Sequence, residues 1–189
     1  MIRYVAFLGG INLGKRRVAM KDLQRIASEL GLDSVSTFIA SGNLVFRSDA
    51  RTASRLEKDL EKHLSARLGY VVPTFVRTEA EVNEILSVQP FEAVQPGNTV
   101  VVILCKEAIP MSAARVLTSI RSPDDAFHIR GRELFWWTVA GLSTSTVWKR
   151  PEIKALKLPP STMRNRNTLQ RMAEKFGFGG SDGGGRESR

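Results

Sequence analysis

One cysteine, two histidines and two tyrosines are all that 189 residues contain of those types, and each scarcity removes a class of chemistry. Cys105 has no partner for an intramolecular disulfide, and its place in the apolar run 100–106 reads as a small buried hydrophobe. With only His63 and His128 beside it, the chain lacks the clustered Cys/His spacing of a zinc site, so no metal is expected. His63 stands next to a leucine stripe and His128 alternates with apolar residues, so neither completes a nucleophile and base pair. No carboxylate pair stands out, and the sequence assigns no catalytic residue and no cofactor. No apolar run approaches the ~20 residues of a membrane helix, and the N-terminus lacks a small-residue cleavage site. The expected location is cytoplasmic, with no membrane partner.

What is present is globular: 42% of residues are hydrophobic and 25% charged, enough to bury a core as one domain or two small ones. The net charge of +9 points to anionic company, namely nucleic acid, a phosphorylated metabolite or an acidic protein. Its distribution is uneven. Residues 149–171 hold seven Lys or Arg against one acid, Glu152.

Hydrophobic periodicity organises the chain. Residues 2–8 read as a buried strand, and Met20, Leu23, Ile26, Ala27 and Leu30 repeat at helical spacing up to Gly31. Residues 35–40 and 44–48 are β-rich runs around the turn Ser41-Gly42-Asn43, a hairpin signal. Leu56, Leu60, Leu64 and Leu68 form the stripe of a second helix ended by Gly69, and residues 71–77 a further strand. The order βαββαβ is that of the ferredoxin-like plait. A connecting helix over 78–88 and a Pro/Gly linker over 90–97 follow. Strand 99–105, helix 112–120 and a hairpin of 126–129 with 133–139 then repeat β-α-β-β. Helical segments are expected over 144–158 and a last helix opening at Ser161 or Thr162, which leaves the second unit without its fourth strand. The fold class is therefore α+β: two ferredoxin-like subdomains with antiparallel sheets, with or without exchanged segments. Residues 1–77 form the first, 78–97 the connection, 98–178 the second, and 179–189 a Gly- and Ser-rich disordered tail.

Gly9-Gly10-Ile11-Asn12-Leu13-Gly14-Lys15-Arg16 matches the phosphate-cradling P-loop until its final residue, where Arg16 replaces the hydroxyl that holds magnesium. A P-loop also runs straight into a helix on a parallel sheet, whereas the hairpins here imply an antiparallel one. Hydrolysis is thus not expected, and anion binding is. In a ferredoxin-like sheet the first strand pairs with the third, which sets this loop beside the Ser41-Gly42-Asn43 turn. The candidate site comprises Gly9, Gly10, Asn12, Lys15, Arg16, Ser41, Gly42 and Asn43. Arg164, Asn165 and Asn167 join it, since arginines in a first helical turn oppose the helix dipole and invite an anion. The plainer alternative is that the glycines and asparagines only satisfy turns, and that Arg164 pairs with an acid.

Phe135-Trp136-Trp137 lies in a strand, so its two tryptophans point to opposite faces. An exposed aromatic on such a sheet suits stacking on RNA bases, but the first hairpin lacks the RNA-recognition pattern and burial between two plaits is the simpler fate.

The motifs at 7–15, Met20-Lys21-Asp22-Leu23, the run 37–46, Phe75-Val76-Arg77-Thr78 and Thr162-Met163-Arg164-Asn165-Arg166-Asn167-Thr168 together resemble the family called domain of unknown function 1697 (DUF1697) over nearly the whole chain except the tail. The resemblance implies two ferredoxin-like subdomains and an activity not assigned. This sequence departs from the family in having Gly9 where an arginine is usual and Arg166 where a tryptophan is usual. The expected function is binding of an anionic or phosphorylated small molecule at the composite loop site. The alternative is a nucleic-acid-binding module using the 149–171 surface, and a third class is a plain interaction protein. The oligomeric state is left open.

Overall fold

Alternation along the first strand decides the layering. In the computed structural model, which describes residues 1–179 apart from Leu13, Lys15, Ser41, Arg51 and Ala93, β1 (Ile2–Leu8) sends Tyr4, Ala6 and Leu8 into one core and Val5 and Phe7 into another. The first core lies under α1 (Met20–Ser28) and α2 (Ala53–Leu68), whose Leu23, Ile26, Leu56, Leu60 and Leu64 fill it. Each fully buried leucine contributes about 1.5–3 kcal/mol. Gly69, at φ 75°, ends α2 in a left-handed cap. With β2 (Asp33–Phe38), β3 (Asn43–Ser48) and β4 (Thr74–Thr78), the sheet order is β2-β3-β1-β4, all antiparallel.

After α3 (Glu79–Ser87), which is closed by a Thr78/Glu81 capping box, the chain repeats the plan. Strand β5 (Thr99–Cys105), α4 (Met111–Ser119), β6 (Asp125–Arg130), β7 (Glu133–Thr138), a 3₁₀ turn (Val147–Lys149), α5 (Pro151–Lys154) and β8 (Ser161–Asn165) build a sheet of order β6-β7-β5-β8. Here Val101, Ile103 and Cys105 face the core under α4 and α5, while Val102 and Leu104 face inward. The inner faces of both sheets share one core with α3 and α6 (Arg166–Phe176), which pack on each other. Each sheet is built from its own half of the chain. The α+β class with two βαββαβ-like units is thus as expected. No helix among the described residues is long and apolar enough to cross a membrane.

The main difference from expectation lies at 161–165. Ser161–Asn165 is the fourth strand of the second sheet, pairing with β5 from Cys105↔Ser161 to Val101↔Asn165, and the last helix begins five residues later than Ser161, at Arg166. Its N-cap is Asn165, whose side chain accepts from Asn167 N at 2.8 Å. Polar residues at 161–165 hid this strand: it is an edge whose buried side chain, Arg164, is charged. The expected helices over 144–158 reduce to one 3₁₀ turn and the four-residue α5. Trp136 is buried in the outer core, and Trp137 on the other face donates to Asn98 Oδ1 at 3.3 Å.

Candidate functional site

The end of β1, the start of β3 and β8 meet around Arg164. Its guanidinium leaves β8 and crosses to the first half, where Nε donates to Asn43 Oδ1 (2.6 Å) and Nη2 to Leu8 O (2.9 Å) and Gly42 O (3.3 Å). Nη1 donates to Thr162 Oγ1 (2.9 Å) and to Met163 O (2.8 Å). The group is 8% exposed, and burial pushes its pKa down to about 10, which leaves it protonated at neutral pH. Asn43 is fully buried and also donates from Nδ2 to Phe38 O (3.0 Å). Arg164 and Asn43 therefore act on protein groups: they bind the second half to the end of β1 and the start of β3.

The loop after β1 continues from this clasp, with Gly14 and Arg16 exposed, Gly10 and Asn12 half-buried and Ile11 buried. Gly9 N donates to Pro73 O (2.7 Å), which seats the loop's base. Asn12, at φ 56°, is held at both ends of its amide: Oδ1 accepts from Val18 N (2.8 Å) and Nδ2 donates to Ala40 O (3.1 Å). It ties the loop to the β2–β3 turn, the adjacency that strand pairing implied. Arg17 Nη1 donates to the carbonyls of Asn12, Gly14 and Arg16, closing the loop on itself. Gly10 is at φ 72°, and a Cβ there would stand 3.4 Å from Arg16 Nη1. Arg16 lies over the Tyr70 ring at 4.3 Å, so its guanidinium rests on an aromatic face. The backbone N–H groups of Gly10, Ile11 and Asn12 make no hydrogen bond to any described residue. Lys15 and Ser41, expected in the site, lie outside the described residues.

Asn165 and Asn167 are placed differently. They open α6, and Asn167 with Arg166 lines a separate cavity of about 580 Å³ against the 89–98 linker. Arg166 donates to Leu86 O at 2.6 Å. The basic run 149–171 is also divided: Lys149, Lys154 and Lys157 are exposed on the 3₁₀ turn, α5 and the chain after it, Arg164 is buried, and Arg171 is on α6.

Sequence reasoning passed over Arg77, the most buried charge in the described chain at 0% exposure. Its Nε donates to Glu133 Oε1 (2.8 Å), Nη2 to Cys105 O (2.7 Å) and Nη1 to Val76 O (2.9 Å). Burial lowers its pKa and the nearby Arg132 charge adds to this, against the raising effect of Glu133. The signal was an arginine inside the otherwise apolar strand Phe75-Val76-Arg77. Burial also raises the Cys105 thiol to about 11, so it is not a nucleophile at neutral pH. Among the described residues no group of His, Cys, Asp and Glu is arranged to hold a metal ion.

Comparison with solved structures finds similarity to a conserved bacterial protein, SP0830 of Streptococcus pneumoniae. The TM-score is 0.71 at 22% identity, covering 94% of this chain and 99% of that one, a likeness of fold. Comparison with curated proteins finds no match. The family model described as protein of unknown function (DUF1697) matches residues 1–135, well over half the chain, and together with the motifs above this places the protein in that family.

Proposed function

We propose that the protein binds a small anionic molecule, in the first instance a phosphate group, on the exposed rim of the loop after β1. The observation that carries this reading is the approach of the Arg16 guanidinium to Gly10, on a loop that Arg17 and Asn12 already hold in shape and whose Gly10, Ile11 and Asn12 N–H groups make no hydrogen bond to a described residue. Successive backbone N–H groups beside a positive-φ residue form a concave anion receptor, and an arginine adds charge and bidentate geometry. The buried residues of the clasp, Arg164, Asn43 and Gly42, support the rim from beneath. Lys15 and Ser41 are retained as candidates from the sequence, and Gly9 fixes the base of the loop.

A nucleic-acid reading draws on the exposed Lys149, Lys154, Lys157 and Arg171, but Arg164 and Arg166 of the same run are engaged with protein carbonyls. Phosphate recognition by the loop thus has the better support. Isothermal titration with inorganic phosphate, pyrophosphate and a nucleoside triphosphate tests it. Saturable binding that Arg16→Ala weakens at least tenfold is the expected result. No heat with any of the three anions, or binding that Arg16→Ala leaves intact, sinks the reading.

A further inference from the structure

The two halves correspond element by element, and the correspondence fails at one place. In the first half the 16-residue α2 lies over β4 and closes that edge strand with its own carboxylates: Thr74 N donates to Glu61 Oε1 and Val76 N to Glu57 Oε1, each at 2.8 Å. In the second half the element before β8 is α5, four residues long. Lys106 N donates to Pro160 O (3.0 Å), as Gly9 N does to Pro73 O, so the ladder with β5 engages residues 160, 162 and 164. The N–H groups of Ser161 and Met163 therefore face away from β5, in the positions of Thr74 and Val76. Among the described residues neither has an acceptor.

The room left by the shorter helix is a cavity of about 270 Å³ on the outer side of β8, walled by Trp136, Trp148, Leu142, Leu158 and Met163. Met163 and Leu142 are 48% and 43% exposed at its mouth. Trp136 Nε1 is satisfied by Asp125 Oδ1 at 2.9 Å, whereas Trp148 Nε1 is buried with no acceptor among the described residues. A buried donor left unpaired costs about 1–3 kcal/mol, so this wall is unsatisfied as it stands. Exposed Lys149 and Lys157 flank Trp148 and Leu158 in the chain, and no described carboxylate lies within ion-pair distance of either lysine.

We propose that this cavity binds a carboxylic acid with an aromatic or apolar body. The carboxylate accepts from the Met163 N–H group, the part Glu57 plays at Val76 in the first half, and the body lies among Trp136, Trp148 and Leu158. An apolar pocket with a few convergent donors is the usual form of a small-molecule site, and the lysines favour the anion over a neutral isostere. The site uses none of the loop residues of the phosphate reading and stands or falls separately from it.

Tryptophan fluorescence titration with 3-phenylpropionate, against 3-phenylpropanol as the neutral control, tests the proposal. The expected result is saturable change with the acid at least tenfold tighter than the alcohol. Met163→Pro removes one outward donor while leaving the β5 ladder untouched, since proline is tolerated where an edge N–H faces solvent. It should weaken the acid at least tenfold at an unchanged melting temperature. Should that variant not fold, Leu142→Trp, which fills the mouth, must abolish the titration. Absence of saturation, equal binding of acid and alcohol, or wild-type binding by the folded variant overturns the proposal. So does binding of an extended acidic peptide with none of the free acid, which would make β8 an edge for strand addition.

Discussion

Arg77 and Arg164 hold the same place in the two halves of the chain, the fourth residue of the last strand, and each reaches into the other half with the same two bonds while a third returns to its own strand. Nε meets the first residue of the third strand, Glu133 or Asn43, and Nη2 the carbonyl of the last residue of the first strand, Cys105 or Leu8. Nη1 returns to the preceding carbonyl, Val76 or Met163. The strands that precede Thr78 and Asn165 then end in the caps of α3 and α6, so both halves pass from clasp to inner helix in one residue. Two arginine side chains thus cross between the halves, alongside the Lys106–Glu61 ion pair.

Arg77→Met leaves Glu133 with the long 4.0 Å contact to Arg132 Nε in place of its close partner and should destabilise the protein by about 3–5 kcal/mol. Arg77→Met with Glu133→Leu should recover most of that loss. Equilibrium urea unfolding of the two singles and the double gives the coupling, and additive effects would contradict a direct bond.

Arg164→Met removes its hydrogen bonds to the buried Asn43 Oδ1 and Leu8 O, and the loss of a bond to a buried polar group costs about 1–3 kcal/mol. The same urea measurement should show a clear loss. A change within error would mean that the bonds to Asn43 and Leu8 contribute nothing.

Gly42 is at φ 74°, and a Cβ there would meet Ile11 Cβ at 3.0 Å and Leu8 Cβ at 3.2 Å. Gly31, at φ 70°, has open space around the same atom. Gly31→Ala should therefore cost only the backbone strain of about 1 kcal/mol, and Gly42→Ala about 1–3 kcal/mol more from overpacking. Equal melting temperatures for the two variants would contradict the close approach of Leu8 and Ile11 to the turn.

Burial raises the Glu81 carboxyl, but its hydrogen bonds from Thr78 and Arg132 outweigh that and hold its pKa below the ordinary 4.5. A carboxylate depressed on folding adds stability that is present above the unfolded value and is lost as pH falls through the folded one. Glu81→Gln should flatten the acid limb of stability in the window that opens below the unfolded carboxylate value and closes at the depressed folded one. Thermal melts across that window check it, and an unchanged slope would show that the capping box is not linked to titration.

The first unit was legible because its signals are local and periodic: the leucines of α2 stand four apart, and Gly42 marks the hairpin. Adjacency of Asn12 to the β2–β3 turn followed from strand pairing alone. The second unit's last strand was not legible, since residues 161–165 carry no alternation of apolar side chains and Asn165 caps a helix that the same motif was expected to begin earlier. Arg164 was found for the wrong reason. Its presence in a first helical turn suggested an anion, whereas in β8 its acceptors across the halves are carbonyls and an amide 121 to 156 residues away in sequence. Contacts of that range leave no mark in local pattern, and Arg77 escaped notice on the same ground.

The division between a buried clasp and a ligand-binding rim is tested most directly by an amide and arginine-Nε NMR titration of the whole chain with inorganic phosphate. Saturable shifts of the Gly10, Ile11 and Asn12 amides, with the Arg164 Nε–H resonance unmoved on Asn43, are the predicted result. Static loop amides, or an Arg164 Nε–H that shifts with the anion, would contradict it.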